Sequence, residues 1–279
     1  MFRVYQPQCL SSESRASTIN WLYNQLLLTA AQRERIDVVL VSPRNPLNIG
    51  AVARAMVNFG FSRLTVAAPY APNWREARSA IGAPELLEHA TEMASLAEAV
   101  ATCTLVVGTG TLTYRKPEQT VVSLPDLGPI LQRELVRDGR IAFVFGPEKH
   151  GLTREDLSYC HVLVEIPTDA RQPSMNLGQA VAVCLYELAS RAPSTGSETS
   201  ANMPPLAPSS SLDRLAELIE QTMTAAGYSP RSMQAANRHD LRLLLRRLAL
   251  SAADSRRILG LFRRIVWRLN RTSSTGSQN

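Results

Sequence analysis

The chain has 279 residues, 45% hydrophobic and 19% charged, which suffices to bury a core in one large or two ordinary domains and excludes a wholly disordered chain. No run approaches the roughly eighteen apolar residues of a membrane span, and Leu26 to Leu28 is too short for a signal-peptide core, so a soluble, cytoplasmic protein is expected. The net charge of +6 is unevenly placed: eleven arginines face two aspartates between Arg231 and Arg271, a balance of +9 that leaves −3 elsewhere. Such a segment suits a polyanion, because arginines that neutralise phosphates release counterions. With only Lys116 and Lys149 as lysines, the alternative is a solvated helix face in an arginine-rich composition.

Residues 1–35 are polar and serine-rich and predict a loosely ordered extension. From Ile36 onward, short β-branched runs alternate with helical patterns: Val38 to Val41, Leu64 to Ala67, Leu105 to Val107, Ile141 to Phe145 and Val162 to Ile166. Near-continuous apolar strands separated by helices predict an α/β domain over 36–191, with a parallel sheet covered on both faces. Its last helix carries Leu177, Ala180, Val181, Cys184, Leu185 and Leu188 at helical spacing. Residues 192–211 then hold four prolines, six serines, two threonines and one glycine, the composition of a linker. Beyond it, Leu212 to Ala226 and His239 to Asn270 read as helices, with Asp254 as a possible N-cap that divides the second stretch. The 212–279 segment is thus expected to be an all-helical, arginine-rich appendage with a disordered tail, separable from the α/β domain.

Ligands of open α/β sheets bind beyond the carboxyl ends of the strands, so the loops there hold the candidate chemistry. Ser42 to Arg54 follows the first strand, Gly108-Thr109-Gly110-Thr111 the third, Phe145 to Gly151 the fourth, and Pro167 through Asn176 the fifth. No G-x-x-x-x-G-K-[ST] is present, Gly108-Thr109-Gly110 lacks the third glycine of G-x-G-x-x-G, and no G-x-S-x-G elbow occurs, which disfavours ATPase, NAD-binding and α/β-hydrolase readings. Cys9, Cys103, Cys160 and Cys184 are scattered without C-x-x-C and read as buried small hydrophobes. His89, His150, His161 and His239 have no metal-ligand spacing, so no metal is expected in the chemistry.

Asn48-Ile49-Gly50-Ala51-Val52-Ala53-Arg54-Ala55-Met56, Phe145-Gly146-Pro147-Glu148-Lys149-His150-Gly151-Leu152, and Ile166-Pro167 through Ser174-Met175-Asn176-Leu177 together resemble the three ordered motifs of the SPOUT-class RNA ribose 2′-O-methyltransferases, the TrmH group. Within that group, Asn58-Phe59-Gly60-Phe61, Cys184 to Leu188 and the arginine-rich end near Ile265-Val266-Trp267 are most similar to the members that methylate nucleotide 32, C or U, of the tRNA anticodon loop. The resemblance implies a trefoil-knotted domain, a homodimer whose site takes residues from both subunits, and S-adenosylmethionine as methyl donor. It places the cofactor at Thr109, Gly110, Thr111, Gly146, Ile166, Pro173, Ser174 and Met175, the last standing where the family usually has leucine. Arg54 matches the family's catalytic arginine, with Asn48, Glu148, Ser174 and Asn176 as its polar companions. Arg115 resembles a further substrate-side arginine, although the loop before it is one residue longer here. Together with Arg242, Arg246, Arg247, Arg263 and Arg264 it makes up the candidate RNA-binding set.

On residue type alone, Asn48 and Asn176 also suit N-caps, Arg54 a surface ion pair, Glu148 a first-turn helix acid, and Gly146 and Gly151 a simple turn. Three functions follow: a tRNA 2′-O-methyltransferase, a 2′-O-methyltransferase for rRNA or another tRNA position, and a catalytically silent RNA-binding relative.

Overall fold

In a computed structural model, the structure describes residues 28–70, 74, 82–111, 117–190 and 203–275. A short helix α1 (Ala30–Arg33) leads into β1 (Ile36–Val41), α2 (Pro46–Phe59), β2 (Arg63–Ala67), α3 (Pro84–Glu88), β3 (Thr91–Met93), α4 (Leu96–Ala99), β4 (Leu105–Thr109) and β5 (Thr120–Ser123). Then follow α5 (Gly128–Val136), β6 (Ile141–Phe145), α6 (Arg154–Leu157), β7 (Val162–Glu165) and α7 (Leu177–Ser190). All pairings in the seven-stranded sheet are parallel, in the order β3-β2-β1-β6-β4-β7-β5. The five expected strands are present. The two edge strands β3 and β5 were not expected: each is short and largely exposed, so neither carries the apolar run that marks the central strands.

Alternation along the central strands divides the core into two layers. Ile36, Val38 and Leu40 face one side with the α2 residues Ile49, Val52 and Met56 and the α7 residues Val181, Cys184 and Leu185; Val39 and Val41 face the other with Val106, Val144, Leu157 and Cys160. Asp37 is the exception in this apolar strand, and its buried carboxylate accepts from Arg140 Nη2 at 2.9 Å and from Arg63 Nε. Helices α2 and α7 approach closely where Ala51 meets Gly178. A Cβ on Gly178 would stand 2.7 Å from that of Ala51, so this contact requires glycine. The three described cysteines, Cys103, Cys160 and Cys184, are buried, and burial pushes each thiol up to about 12; Cys9 lies outside the described residues.

The expected loose extension over 1–35 ends earlier than the composition suggests. Leu28 belongs to the main core, and Thr29 caps α1 in a reciprocal box with Gln32. Residues 1–27 of that stretch, like residues 192–202 of the expected linker, lie outside the described residues.

The appendage is docked onto the α/β domain. Its helices are α8 (Ser209–Ala225), α9 (Gln234–Arg247) and α10 (Ala252–Thr275). Leu212, Leu215, Ala216, Leu245 and Leu259 form a small core of their own. The end of the expected linker is part of this structure: Leu206 bridges Ser251, and Ala207 and Ser209 are buried. No side chain caps α8. Its first two N–H groups donate to the α/β domain instead, Ser209 N to the Cys103 carbonyl at 2.9 Å and Ser210 N to that of Ala101 at 3.1 Å, while Ser211 N and Leu212 N turn back to the Pro208 carbonyl. The cap of α10 is Ser251, whose Oγ accepts from Asp254 N at 3.1 Å; Asp254 therefore sits inside the first turn and is not the cap. The helix runs on to Thr275, and of the expected disordered tail only 276–279 lie outside the described residues.

Candidate active site

Loops from the carboxyl ends of β4, β6 and β7 enclose a cleft of about 1040 Å³ of empty space, open mouth included. All eight residues that the resemblance assigns to the cofactor line it: Thr109, Gly110, Thr111, Gly146, Ile166, Pro173, Ser174 and Met175. Hydrogen bonds hold the three loops together. Thr109 Oγ1 donates to the Val144 carbonyl at 2.9 Å, tying β4 to β6, and Thr111 Oγ1 donates to the Pro173 carbonyl at 3.0 Å, tying the β4 loop to the β7 loop. The β6 loop closes on itself through Gly151 N, which donates to the Pro147 carbonyl at 2.8 Å. A Cβ on Gly146 would lie 2.3 Å from the Gly151 carbonyl carbon and the Leu152 nitrogen, so glycine is required where the loop folds back. At Gly110 a Cβ would meet nothing within 4 Å, which leaves the wall open beside exposed main chain. Pro147, Lys149, His150 and Leu152 also line the cleft. They belong to the same motif loop, and only the closed loop shows that they face inward.

Beside the cleft, three candidates form one network. Glu148, itself a lining residue, accepts from Asn48 Nδ2 at 2.9 Å and from the backbone N–H groups of Arg44 and Asn45, both at 3.2 Å. Asn48 Oδ1 accepts from Asn176 Nδ2 at 2.9 Å. Partial burial pushes the Glu148 carboxyl up, but the hydrogen bonds from Asn48, from its own backbone and from Arg44 and Asn45 outweigh this and hold it below its ordinary value. Glu148 is thus an anionic tie between the β6 loop and the start of α2, and not the first-turn helix acid that its type suggested. The N-cap of α2 is Asn45, whose side chain accepts from Leu47 N ahead of Pro46, while Asn48 lies within the first turn. Asn45-Pro46 is the signal that locates this helix start, since proline favours the first helical position. Asn176 does serve as a cap, accepting from Gly178 N at 2.9 Å, and its amide nitrogen still reaches Asn48. Ser174 is exposed at the cleft.

Arg54 is placed elsewhere. It lies on the third turn of α2, one turn later than expected, exposed and not among the lining residues. The same helix exposes Leu47 and Val57, and its partner α7 exposes Tyr186.

The RNA-binding candidates also separate. Arg242 stacks its guanidinium 4.3 Å over the Tyr159 ring and pairs with Glu155. Arg246 is buried, donating from Nε to the Tyr159 carbonyl at 3.0 Å and from Nη2 to Asp213 Oδ1 at 2.8 Å. Both charges have partners within the chain, and together they dock α9 onto α6, the loop after it and α8. Arg247, Arg263 and Arg264 are exposed, and Arg264 and Arg271 flank Trp267 at 4.8 and 4.7 Å. Arg115 lies outside the described residues. The fold also brings Glu118, His239 and Asp240 together, their possible ligand atoms within 4.8 Å, a grouping that sequence spacing does not reveal. No helix among the described residues is long and apolar enough to cross a membrane.

The parallel sheet and the backbone-lined cleft beyond its strand ends define the class, an open α/β protein that takes its ligand at the carboxyl edge. Within that class the chain belongs to the SpoU rRNA Methylase family, whose pattern it matches over residues 35–186. It is 38% identical over 156 residues to the tRNA (cytidine/uridine/adenosine-2′-O-)-methyltransferase TrmJ of Pseudomonas aeruginosa, a match covering 56% of this chain and 60% of that relative. To the tRNA (cytidine/uridine-2′-O-)-methyltransferase TrmJ of Pectobacterium atrosepticum it is 30% identical over 248 residues, 86% of this chain and 98% of the relative. The crystal structure of TrmJ from Z. mobilis superposes with a TM-score of 0.70 at 29% identity, covering 82% of this chain and 98% of that one.

Proposed function

We propose that this chain is an S-adenosylmethionine-dependent tRNA ribose 2′-O-methyltransferase acting on nucleotide 32, C or U, of the anticodon loop in the cytoplasm. The observation that carries the reading is the juxtaposition of the cleft with the Asn48–Glu148–Asn176 network, which joins the start of α2 to loops 100 and 128 residues further along the chain. The names of the TrmJ relatives supply the tRNA and the 2′-oxygen.

S-adenosylmethionine supplies a methyl group as a sulfonium. The residues present fit it: Gly110 leaves main chain bare on the cleft wall and Gly146 lets the β6 loop fold back along it, so that polar backbone groups would contact adenine and ribose, while Ile166 and Met175 offer apolar surface. Arg54 orients the ribose 2′-hydroxyl and helps remove its proton, and Ser174 borders the approach. Glu148, Asn48 and Asn176 hold the loops that carry both in register, so they act by positioning. Because Arg54 stands outside its own cleft on a helix pair that exposes Leu47, Val57 and Tyr186, the reading includes a homodimer formed on that face, which completes the site. Insertion of β7 between β4 and β5, strands that precede it in the chain, supports the trefoil-knotted path of the family. The exposed Arg247, Arg263 and Arg264 take the tRNA backbone, and the chemistry requires no metal.

The test is transfer of labelled methyl from S-adenosylmethionine to unmodified tRNA by the purified full chain, with ribose methylation mapped by nucleotide. A 2′-O-methyl group at nucleotide 32, also missing from a deletion strain, is the expected result. Methylation only of rRNA or of another tRNA position selects the second function, and RNA binding without transfer selects the third.

A further inference from the structure

We propose that Arg44 and Tyr70 form a phosphate-contacting station for single-stranded RNA at the edge of the methyl-transfer site, with Arg44 as the contact and Tyr70 holding it in place. The inference rests on the RNA methyltransferase reading above. Four observations place the station there.

First, Arg44 is tied to the cleft through its own main chain: its N–H donates to Glu148 Oε2 at 3.2 Å, and Glu148 lines the cleft. Second, its guanidinium lies 4.6 Å from the centroid of the Tyr70 ring. Tyr70 is 65% exposed, so the stack stands at the surface and not in the core. A guanidinium held over a ring face has N–H groups left to meet a phosphate and loses little freedom on binding. Third, no ion pair involves the Arg44 side chain among the described residues. The carboxylate that its main chain meets, Glu148, is occupied by the N–H groups of Arg44 and Asn45 and by Asn48 Nδ2. This sets Arg44 apart from Arg242 and Arg246, whose charge is spent inside the chain.

Fourth, the backbone is bent to bring the two together. Ser42 and Ala68, at the ends of the neighbouring strands β1 and β2, both take positive φ, 44° and 48°, a region that side-chain-bearing residues rarely adopt. They are joined to one another: Ser42 N donates to the Ala67 carbonyl and Ser42 Oγ to the Ala68 carbonyl, at 2.8 and 2.9 Å. Two strained residues, each two positions before a member of the pair, turn adjacent strand ends so that Arg44 and Tyr70 meet. Strain of this kind persists where the surroundings over-determine it, commonly at a binding site.

RNA affinity of the full chain, Arg44→Ala, Arg44→Lys, Tyr70→Ala and the Arg44→Ala/Tyr70→Ala double variant tests this, measured with the anticodon stem-loop over a range of salt and alongside S-adenosylmethionine affinity. Arg44→Ala is expected to weaken RNA binding about tenfold and flatten the slope of log affinity against log salt by about 0.7, the loss of one single-strand phosphate contact, with cofactor affinity unchanged. Arg44→Lys should restore the slope but not the full affinity. The double variant should bind no more weakly than Arg44→Ala, since Tyr70 acts through the arginine. If the unmodified chain binds and methylates the stem-loop while Arg44→Ala keeps its affinity and slope, the station is wrong and the enzymatic reading stands. If the unmodified chain neither binds nor methylates RNA, the enzymatic reading fails and takes the station with it. Additive losses in the double variant would overturn the role given to Tyr70.

Discussion

Helices α9 and α10 are both rich in arginine, yet they place that charge in opposite ways. On α9, Arg242 and Arg246 lie against Tyr159, Glu155 and Asp213 and join the appendage to the α/β domain. On α10, Arg263 and Arg264 face solvent, and Trp267 stands between Arg264 and Arg271. A count of +9 over the segment therefore overstates the charge available to a polyanion. Burial decides which arginines bind the fold and which bind something else, because a desolvated guanidinium must find its acceptors inside the protein.

The largest effect that separates the two helices is on stability. Arg246→Ala leaves Asp213 and the Tyr159 carbonyl without their donor and is expected to cost about 3–5 kcal/mol, read by urea unfolding. Arg264→Ala should cost under about 0.5 kcal/mol in the same assay, as an exposed surface change does. Equal losses would erase the distinction. For the same reason a chain ending at Arg191 should unfold more readily than the full protein, since it lacks the groups that cover the Cys103 and Tyr159 carbonyls.

A second test addresses the junction from the side of the α/β domain. His161, half-buried near Arg246, accepts from Val106 N at 3.1 Å through Nδ1, and desolvation of its ring, reinforced by the Arg246 charge, pushes its pKa down to about 3. The folded state thus refuses a proton that the unfolded state takes up below about 6.5. Stability is complete above that value and falls as pH drops from about 6.5 towards 3. His161→Gln should flatten this part of the stability profile; an unchanged profile would show that the histidine does not report on the junction.

Turnover comes next. Arg54→Ala should lower single-turnover methyl transfer by about 10², the scale of a positioned acid–base group, and leave S-adenosylmethionine affinity near that of the unmodified chain. Loss of cofactor binding in step with activity would make Arg54 a structural residue. The smallest effect belongs to the exposed helix: Arg263→Ala/Arg264→Ala should reduce tRNA affinity severalfold and flatten its salt dependence, with turnover at saturating tRNA retained. A salt slope identical to that of the unmodified chain would remove α10 from the interface.

The sequence determined the parallel α/β class, the five central strands and the face of α7, because strands buried on both sides must be apolar throughout and a helix on a sheet must be apolar every third or fourth residue. It also marked the loops that line the cleft, since glycine and proline cluster where main chain must turn sharply, as at Gly146 against Gly151. It could not show that Asn45 and not Asn48 caps α2, that Glu148 ties two loops, or that Ser209 and Ser210 satisfy their N–H groups on the α/β domain. Nor did it reveal the edge strands β3 and β5, which are short and largely exposed. Each of these depends on partners remote in the chain: Glu148 meets Asn48 across 100 residues and Arg246 meets the Tyr159 carbonyl across 87. Periodicity records only whether a side chain faces the core. Which acceptor a buried donor finds there is set by the packing of distant segments, and that is what the tertiary structure decided.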